Sequence, residues 1–164
     1  MTVRDELCRF IRLNLEEQWV RHDIALEQLE RFGDDLIPGL VECLTDGHPD
    51  VRHLAVGLLW EARPRSDVAV PALIERLTDE DWLVQVAVLT SIGEFGPLAA
   101  GAIPHVEPWL ESPNEYLRVL AAIAIVSLDP SRTELLPMIL DALTSDNSTV
   151  QWIARDYFGS DEDD

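Results

Sequence analysis

The residues best suited to metal or proton-transfer chemistry are clustered in one hexapeptide, His48-Pro49-Asp50-Val51-Arg52-His53. A helix starting near Pro49 would put Asp50 and His53 on one face, three residues apart. A closed zinc site needs about four ligands, and a catalytic zinc site needs about three and a water. Two histidines and one aspartate fall short of both. We therefore expect a capping Asp50, a surface His53 and no metal site.

Other catalytic patterns are not apparent in the sequence. The segment Gly93-Glu94-Phe95-Gly96 lacks the preceding strand and the Lys that a phosphate-binding loop requires. The chain has 31 Asp and Glu residues, so two neighbouring carboxylates carry no information about acid–base catalysis. We expect no catalytic residue, no cofactor and no enzymatic activity.

The two cysteines, Cys8 and Cys43, both lie among apolar residues at helical spacing. A buried free Cys behaves as a small hydrophobic residue, and two such cysteines do not make a disulfide framework. The expectation is two buried free thiols, as is usual in a reducing compartment.

The formal net charge of −19 constrains the partners of the 164-residue chain. Binding to a phosphate backbone needs clustered basic residues, so direct nucleic-acid binding is not expected. An acidic surface favours solubility and a basic partner. The N-terminus has no long apolar segment of the signal-peptide type, and there is no run of about 18 apolar residues for a membrane span. We expect a cytoplasmic monomer that does not contact membranes.

An internal repeat organises the chain. Four prolines recur at a constant interval of about 33 residues, a period typical of stacked helix pairs: Pro38, Pro71, Pro104 and Pro137. Each proline is predicted to lie in the first turn of a helix A, where its missing N–H costs little.

A polar turn and a helix B follow each helix A. The apolar side chains of helix B are separated by alternating steps of three and one, which is the spacing of one face of an α-helix. In the first proline-led repeat this stripe consists of Val51, Leu54, Ala55, Leu58 and Leu59. We expect the stripe to form the core.

The repeats resemble HEAT repeats. The match is best at Pro38, at Asp46 closing helix A, and at Val51, Arg52 and Ala55 opening helix B. The resemblance implies a ladder of Asp–Arg contacts between repeats. That ladder should be incomplete, because Gln85 and Gln151 replace Arg, and Ser112 and Ser145 replace Asp.

The resemblance implies an all-α fold, a right-handed α-solenoid of about five stacked antiparallel helix hairpins. We expect a single repeat domain over residues 1–158. Residues 1–33, with helices at 2–14 and 16–32, would form a divergent N-terminal cap hairpin. The repeats would be 34–66, 67–99, 100–132 and 133–158, and 159–164 would be a flexible acidic tail.

The B helices carry a second apolar face beside the core stripe. In HEAT-like proteins the B helices line the concave side, so this face is either an exposed protein-binding groove or packing between neighbouring B helices. Trp60 and Trp152 would be its aromatic anchors. Trp82 and Tyr116 open their B helices, and either form a second edge site or pack within the turns. The predicted partner-binding residues are His53, Val56, Trp60, Val86, Leu89, Val119, Ala122, Val126, Trp152 and Arg155.

Together these patterns predict a non-catalytic scaffold that recognises a peptide or protein surface through an apolar concave face with acidic rims. One alternative is an acidic inhibitor or immunity-type protein that blocks a basic partner, by mimicking nucleic acid. A second, implied by the resemblance, is an accessory enzyme like the HEAT-like bilin lyases. The HEAT-like DNA glycosylases use a basic concave face, which the charge of this chain contradicts.

Overall fold

The computed structural model describes residues 2–16, 29–61 and 66–159, and within these ranges all regular structure is helical. The contacts divide the chain into two compact units, Met1–Ser91 and Ile92–Asp164. The prediction of an all-α protein is confirmed. The predicted single repeat domain and its boundaries stay predictions.

The first unit is built from α-helices and one 3₁₀ helix. Its α-helices are α1 (Val3–Glu16), α2 (Leu36–Cys43), α3 (Pro49–Glu61), α4 (Ser66–Arg76) and most of α5 (Trp82–Glu94). A 3₁₀ helix, Glu30–Asp35, runs directly into α2. α2 and α3 form a hairpin, and α1 packs against both. The predicted helix over 16–32 lies mostly outside the described residues, so the cap hairpin stays a prediction.

The second unit is built around α7 (Glu115–Leu128). Nine of the fourteen residues of α7 are buried. It packs against two 3₁₀ segments, Gly96–Ala102 and Glu107–Glu111, and against the three remaining α-helices, which are α6 (Ile103–Val106), α8 (Leu136–Ala142) and α9 (Ser148–Gly159). A further 3₁₀ turn, Thr133–Leu135, leads into α8. The proposed acidic tail after Gly159 lies outside the described residues.

The repeat prolines mark where α-helix begins in three of the four repeats. Pro104 and Pro137 are the second residues of α6 and α8, and Pro38 is the third residue of α2. The prediction for Pro71 was wrong, because α4 begins at Ser66 and Pro71 lies inside it. In the fourth hairpin Pro108 follows Pro104 by one helical turn, and the helix changes to 3₁₀ at Glu107 because each proline removes a backbone donor.

The predicted apolar stripe of helix B is confirmed as the core. Nearly all its positions are buried in α3, α5 and α7, with Ala87 half-buried as the exception. In α9 the stripe is continued by Val150, Ile153 and Ala154, which are also buried.

The prediction of two free thiols was wrong. Cys8 on α1 and Cys43 at the end of α2 form a disulfide, and their Cα atoms lie 6.0 Å apart. This separation is in the range that a disulfide needs. It arises because α1 packs closely on α2 at Gly39, where an added Cβ would overlap the Leu7 side chain. The pairing joins two cysteines that are distant in sequence and depends on the register of two helices, which a residue pattern does not contain.

Candidate functional site

One hydrogen bond recurs in all four proline-led repeats. A long polar side chain in the first turn of helix B donates to a backbone carbonyl in the turn that follows helix A, which closes the turn between the two helices. The donor–acceptor pairs are Arg52–Asp46 (2.9 Å), Gln85–Asp79 (2.6 Å), Arg118–Ser112 (2.8 Å) and Gln151–Ser145 (2.7 Å). Because Arg and Gln both carry an N–H donor at the end of a long side chain, either residue can make this bond.

In the first unit Arg52 also makes hydrogen bonds to the next repeat, because its guanidinium has further N–H donors that a glutamine lacks. Nε and Nη2 of Arg52 donate to the two carboxylate oxygens of Asp79 at 2.9 and 2.7 Å. Arg52 is only 5% exposed and Asp79 only 7%, so this is a buried bidentate ion pair. A single nitrogen of Arg12, Nη2, donates to both oxygens of Asp46, at 2.7 and 2.8 Å.

These contacts shift the ionisation of both carboxyls. Burial by itself would raise the pKa of Asp46. The hydrogen bonds from Arg12 and from the His48 amide outweigh burial, so the pKa lies below its ordinary value. In Asp79 burial is likewise outweighed by Arg52 and the Asp81 amide, and the pKa is lowered. The hydrogen bonds to Asp79 raise the pKa of Arg52. Asp46 and Asp79 are therefore buried structural residues.

Half of the predicted partner-binding face is inside the protein. Val56, Leu89 and Ala122 are fully buried, and Val119 and Val126 nearly so. We withdraw these five residues as partner contacts. The reason lies in the helix period, because each of the first three lies three residues before a core residue of the same helix and so shares its face. Aliphatic residues there widen the buried stripe, as the packing interpretation expected.

The other five predicted residues are at least partly accessible. Trp152 is 61% exposed on α9, and His53 and Arg155 are also exposed. Val86 and Trp60 are half-buried. Arg155 stands at the repeat position where the other three repeats have buried aliphatic residues, and its guanidinium contacts Gln151 on the same helix at 3.4 Å.

The start of α5 presents a second exposed patch. Trp82 is 54% exposed and Leu83 is 46% exposed. The acids Glu80 and Asp81 directly precede them, and the Asp81 carboxylate caps α5 by accepting from the Leu83 amide at 2.9 Å. Tyr116, the second residue of α7 in the second unit, is half-buried, and burial raises the pKa of its hydroxyl. Of the two residues considered for an edge site, Trp82 is accessible and Tyr116 is largely packed.

The structure also shows a site that the sequence reasoning missed. A cleft of about 520 Å³ in the first unit is lined by Arg4, Asp5, Cys8, Arg9, Arg12 and Asp46. We call it the arginine cleft. The signal for it was present in the sequence, since Arg4, Cys8 and Arg12 recur once per helical turn and so share one face of α1.

The histidine hexapeptide does not assemble a centre. Nδ1 of His48 lies 3.5 Å from Oδ2 of Asp50, and both side chains are more than half exposed. Among the described residues, no group of three or more His, Cys, Asp or Glu is arranged to hold a metal ion. Within the same residues, no helix is long and apolar enough to cross a membrane.

Comparison with known proteins identifies the family. A model of HEAT repeats matches residues 37–125, more than half of the chain. The protein therefore belongs to the HEAT-repeat family, and the predicted fold class is confirmed.

No curated protein matches the sequence significantly. Among solved structures, the chain is similar to the complex of CpcE and CpcF of phycocyanin lyase from Nostoc sp. PCC7120. The sequence identity is 19%, the TM-score is 0.49, and the match covers 87% of this chain and 73% of the other.

Proposed function

We propose that the protein is a non-catalytic binding module that recognises a protein or peptide through large apolar side chains exposed on its B helices. The observation that carries this proposal is the exposure of Trp82 and Trp152, at 54% and 61%. Tryptophan is enriched at binding hot spots because one side chain buries a large area with little loss of conformational freedom. Each unit carries one of the two residues.

The charge around these side chains favours a basic partner. Glu80 and Asp81 precede Trp82, and the Glu80 side chain is 87% exposed. Asp156 is exposed one helical turn after Trp152. The net charge of −19 would attract a basic partner over a longer range and speed its association.

The test begins with capture of partners from the native host by the immobilised full chain. A purified partner is then titrated against the wild type, Trp82→Ala and Trp152→Ala. Loss of a hot-spot tryptophan should weaken binding by at least about 2 kcal/mol. Matched controls are Leu98→Ala and Leu140→Ala, since these large apolar side chains are 80% and 50% exposed but lie outside the B helices. Unchanged affinity of both tryptophan variants would refute the proposal.

Salt dependence separates this mechanism from the acidic inhibitor alternative. A partner held mainly by apolar contacts should keep most of its affinity between about 0.1 and about 1 M salt, where the Debye length falls from about 10 Å to about 3 Å. A complex that dissociates over this range, and is insensitive to both tryptophan substitutions, would favour charge blocking instead.

A further inference from the structure

The arginine cleft is a positively charged site on a strongly acidic protein. Among the described residues, its lining contains three guanidinium groups and two carboxylates. Both carboxylates already have partners. Asp46 accepts two hydrogen bonds from Arg12 and one from the His48 amide, and Asp5 accepts from the Thr2 amide at 2.9 Å.

Arg4 and Arg9 are therefore left to face the cleft. Neither makes a hydrogen bond with the described part of the chain, although Arg4 is half-buried and its charge helps to lower the pKa values of Asp5 and Asp46. Two guanidinium forks beside a cleft of this size can bind an anion bidentately.

A second, independent feature of the cleft is the cysteine in its lining. Cys8 lines the cleft and is 6% exposed, whereas its disulfide partner Cys43 is not in the lining and is fully buried. A nucleophile held in the cleft thus approaches the disulfide from the Cys8 side, with Cys43 on the inner side as the leaving group. Thiol–disulfide exchange depends strongly on which sulfur is accessible.

We propose that the arginine cleft binds anionic low-molecular-weight thiols and directs them onto Cys8, making the Cys8–Cys43 disulfide selectively reducible by thiols of negative charge. The thiolate attacks Sγ of Cys8, and a new S–S bond forms as the Cys8–Cys43 bond breaks. Cys43 leaves as a thiolate and takes a proton from water. A second thiolate then attacks the sulfur of the bound thiol, releasing a small disulfide and the Cys8 thiolate. Two small thiols are oxidised and one protein disulfide is reduced.

The test uses the oxidised full chain and three thiols of similar size: 2-mercaptoethanesulfonate, which is anionic, 2-mercaptoethanol, which is neutral, and cysteamine, which is cationic. Rates of loss of the disulfide are followed by alkylation and mass spectrometry and compared at equal thiolate concentration. For a chain of net charge −19, non-specific repulsion alone would make the anionic thiol the slowest. The proposal requires the reverse order, with the anionic thiol roughly tenfold faster than the cationic one at low salt.

Arg4→Ala and Arg9→Ala should each reduce this preference several-fold. Arg76→Ala, which removes one positive charge from the last turn of α4, should leave it unchanged. Equal thermal midpoints for the three variants establish that all of them fold. Peptide mapping of the trapped adduct should find the small thiol on Cys8.

Four results would overturn the proposal. They are a rate order set by net charge, a preference that survives both Arg4→Ala and Arg9→Ala, an adduct on Cys43, and a chain that does not form the Cys8–Cys43 bond under mild oxidation.

Discussion

The two units close their repeats with the same hydrogen bond but join successive repeats differently. In the first unit Arg52 also reaches forward to Asp79 through two nitrogens, and Arg12 donates through one nitrogen to both carboxylate oxygens of Asp46. In the second unit the corresponding acids are replaced by Ser112 and Ser145. The Ser145 hydroxyl instead donates to Glu115 at 2.9 Å.

The difference distinguishes the hydrogen bond that every proline-led repeat makes from the ion pair that only some repeats add. The bond from the B-helix side chain to the turn carbonyl is made in all four proline-led repeats, so it belongs to the repeat itself. The buried ion pair is present only where both Asp and Arg occur. Nine of the twelve Lys and Arg residues in the chain lie in Met1–Ser91, so the first unit holds both the ion-pair ladder and the arginine cleft.

The largest expected effect comes from breaking the buried pair in the first unit. Asp79→Ala removes the buried carboxylate of Arg52 and leaves only the exposed Glu80 carboxylate, 3.5 Å away, beside the guanidinium. Removing one partner of a buried ion pair costs about 3–5 kcal/mol. The free energy of unfolding in urea measures the loss. Ser112→Ala, at the same repeat position in the second unit, should cost less than about 1 kcal/mol. Equal losses at the two positions would remove the distinction between the units.

Acid should weaken the same contacts. The pKa values of Asp46 and Asp79 are lowered from 3.8 in the folded protein, so their stabilising effect is complete above that pH and is lost as the pH falls through the folded values. The midpoint of thermal unfolding should be higher for the wild type than for Asp79→Asn at pH 6, and this difference should shrink as the pH falls to 2. A difference that stays constant over this range would contradict a stabilising role for the ionised Asp79.

In the second unit we expect close packing to matter more than charge. An added Cβ on Gly93 would lie 3.1 Å from the Cα and 3.3 Å from the Cβ of Ala124 on α7. Alanine gains about 1 kcal/mol of helix propensity, but overpacking against backbone costs about 1–3 kcal/mol, so Gly93→Ala should destabilise the protein.

The control for this substitution is Gly101→Ala, because an added Cβ at Gly101 meets nothing within 4 Å. Urea unfolding of both variants decides the matter. A Gly93→Ala protein more stable than the wild type would show that the end of α5 and α7 can separate at low cost.

Salt should have the smallest effect. Raising NaCl from about 0.1 to about 1 M screens repulsion among surface acids, while buried pairs are screened much less. We expect stability to rise by about 1 kcal/mol, or roughly 2–4 °C in the midpoint. The unfolding midpoint of Asp79→Ala should rise with NaCl concentration as steeply as that of the wild type. A midpoint that falls with salt would mean that ion pairs, and not repulsion, dominate the electrostatic free energy.

Much of the fold could be predicted because the sequence pattern of each helix occurs four times along the chain. The spacing of Pro38, Pro104 and Pro137 placed the start of helix A, and the apolar steps placed the core of helix B. Pro71 was misplaced because a proline can also be accommodated within a helix, as in α4. The candidate site was harder, because an apolar residue such as Leu89 looks the same in sequence whether it is exposed or packed.

The sequence alone determined the helical repeat, the family and the gaps in the Asp–Arg ladder, since these depend on local periodicity and on which side chain stands at each repeat position. Only the tertiary structure decided which apolar residues remain accessible, that Cys8 is bonded to Cys43, and that the arginines of α1 surround a cleft. These features depend on how helices distant in sequence pack and in which register, and that packing is a property of the folded chain as a whole.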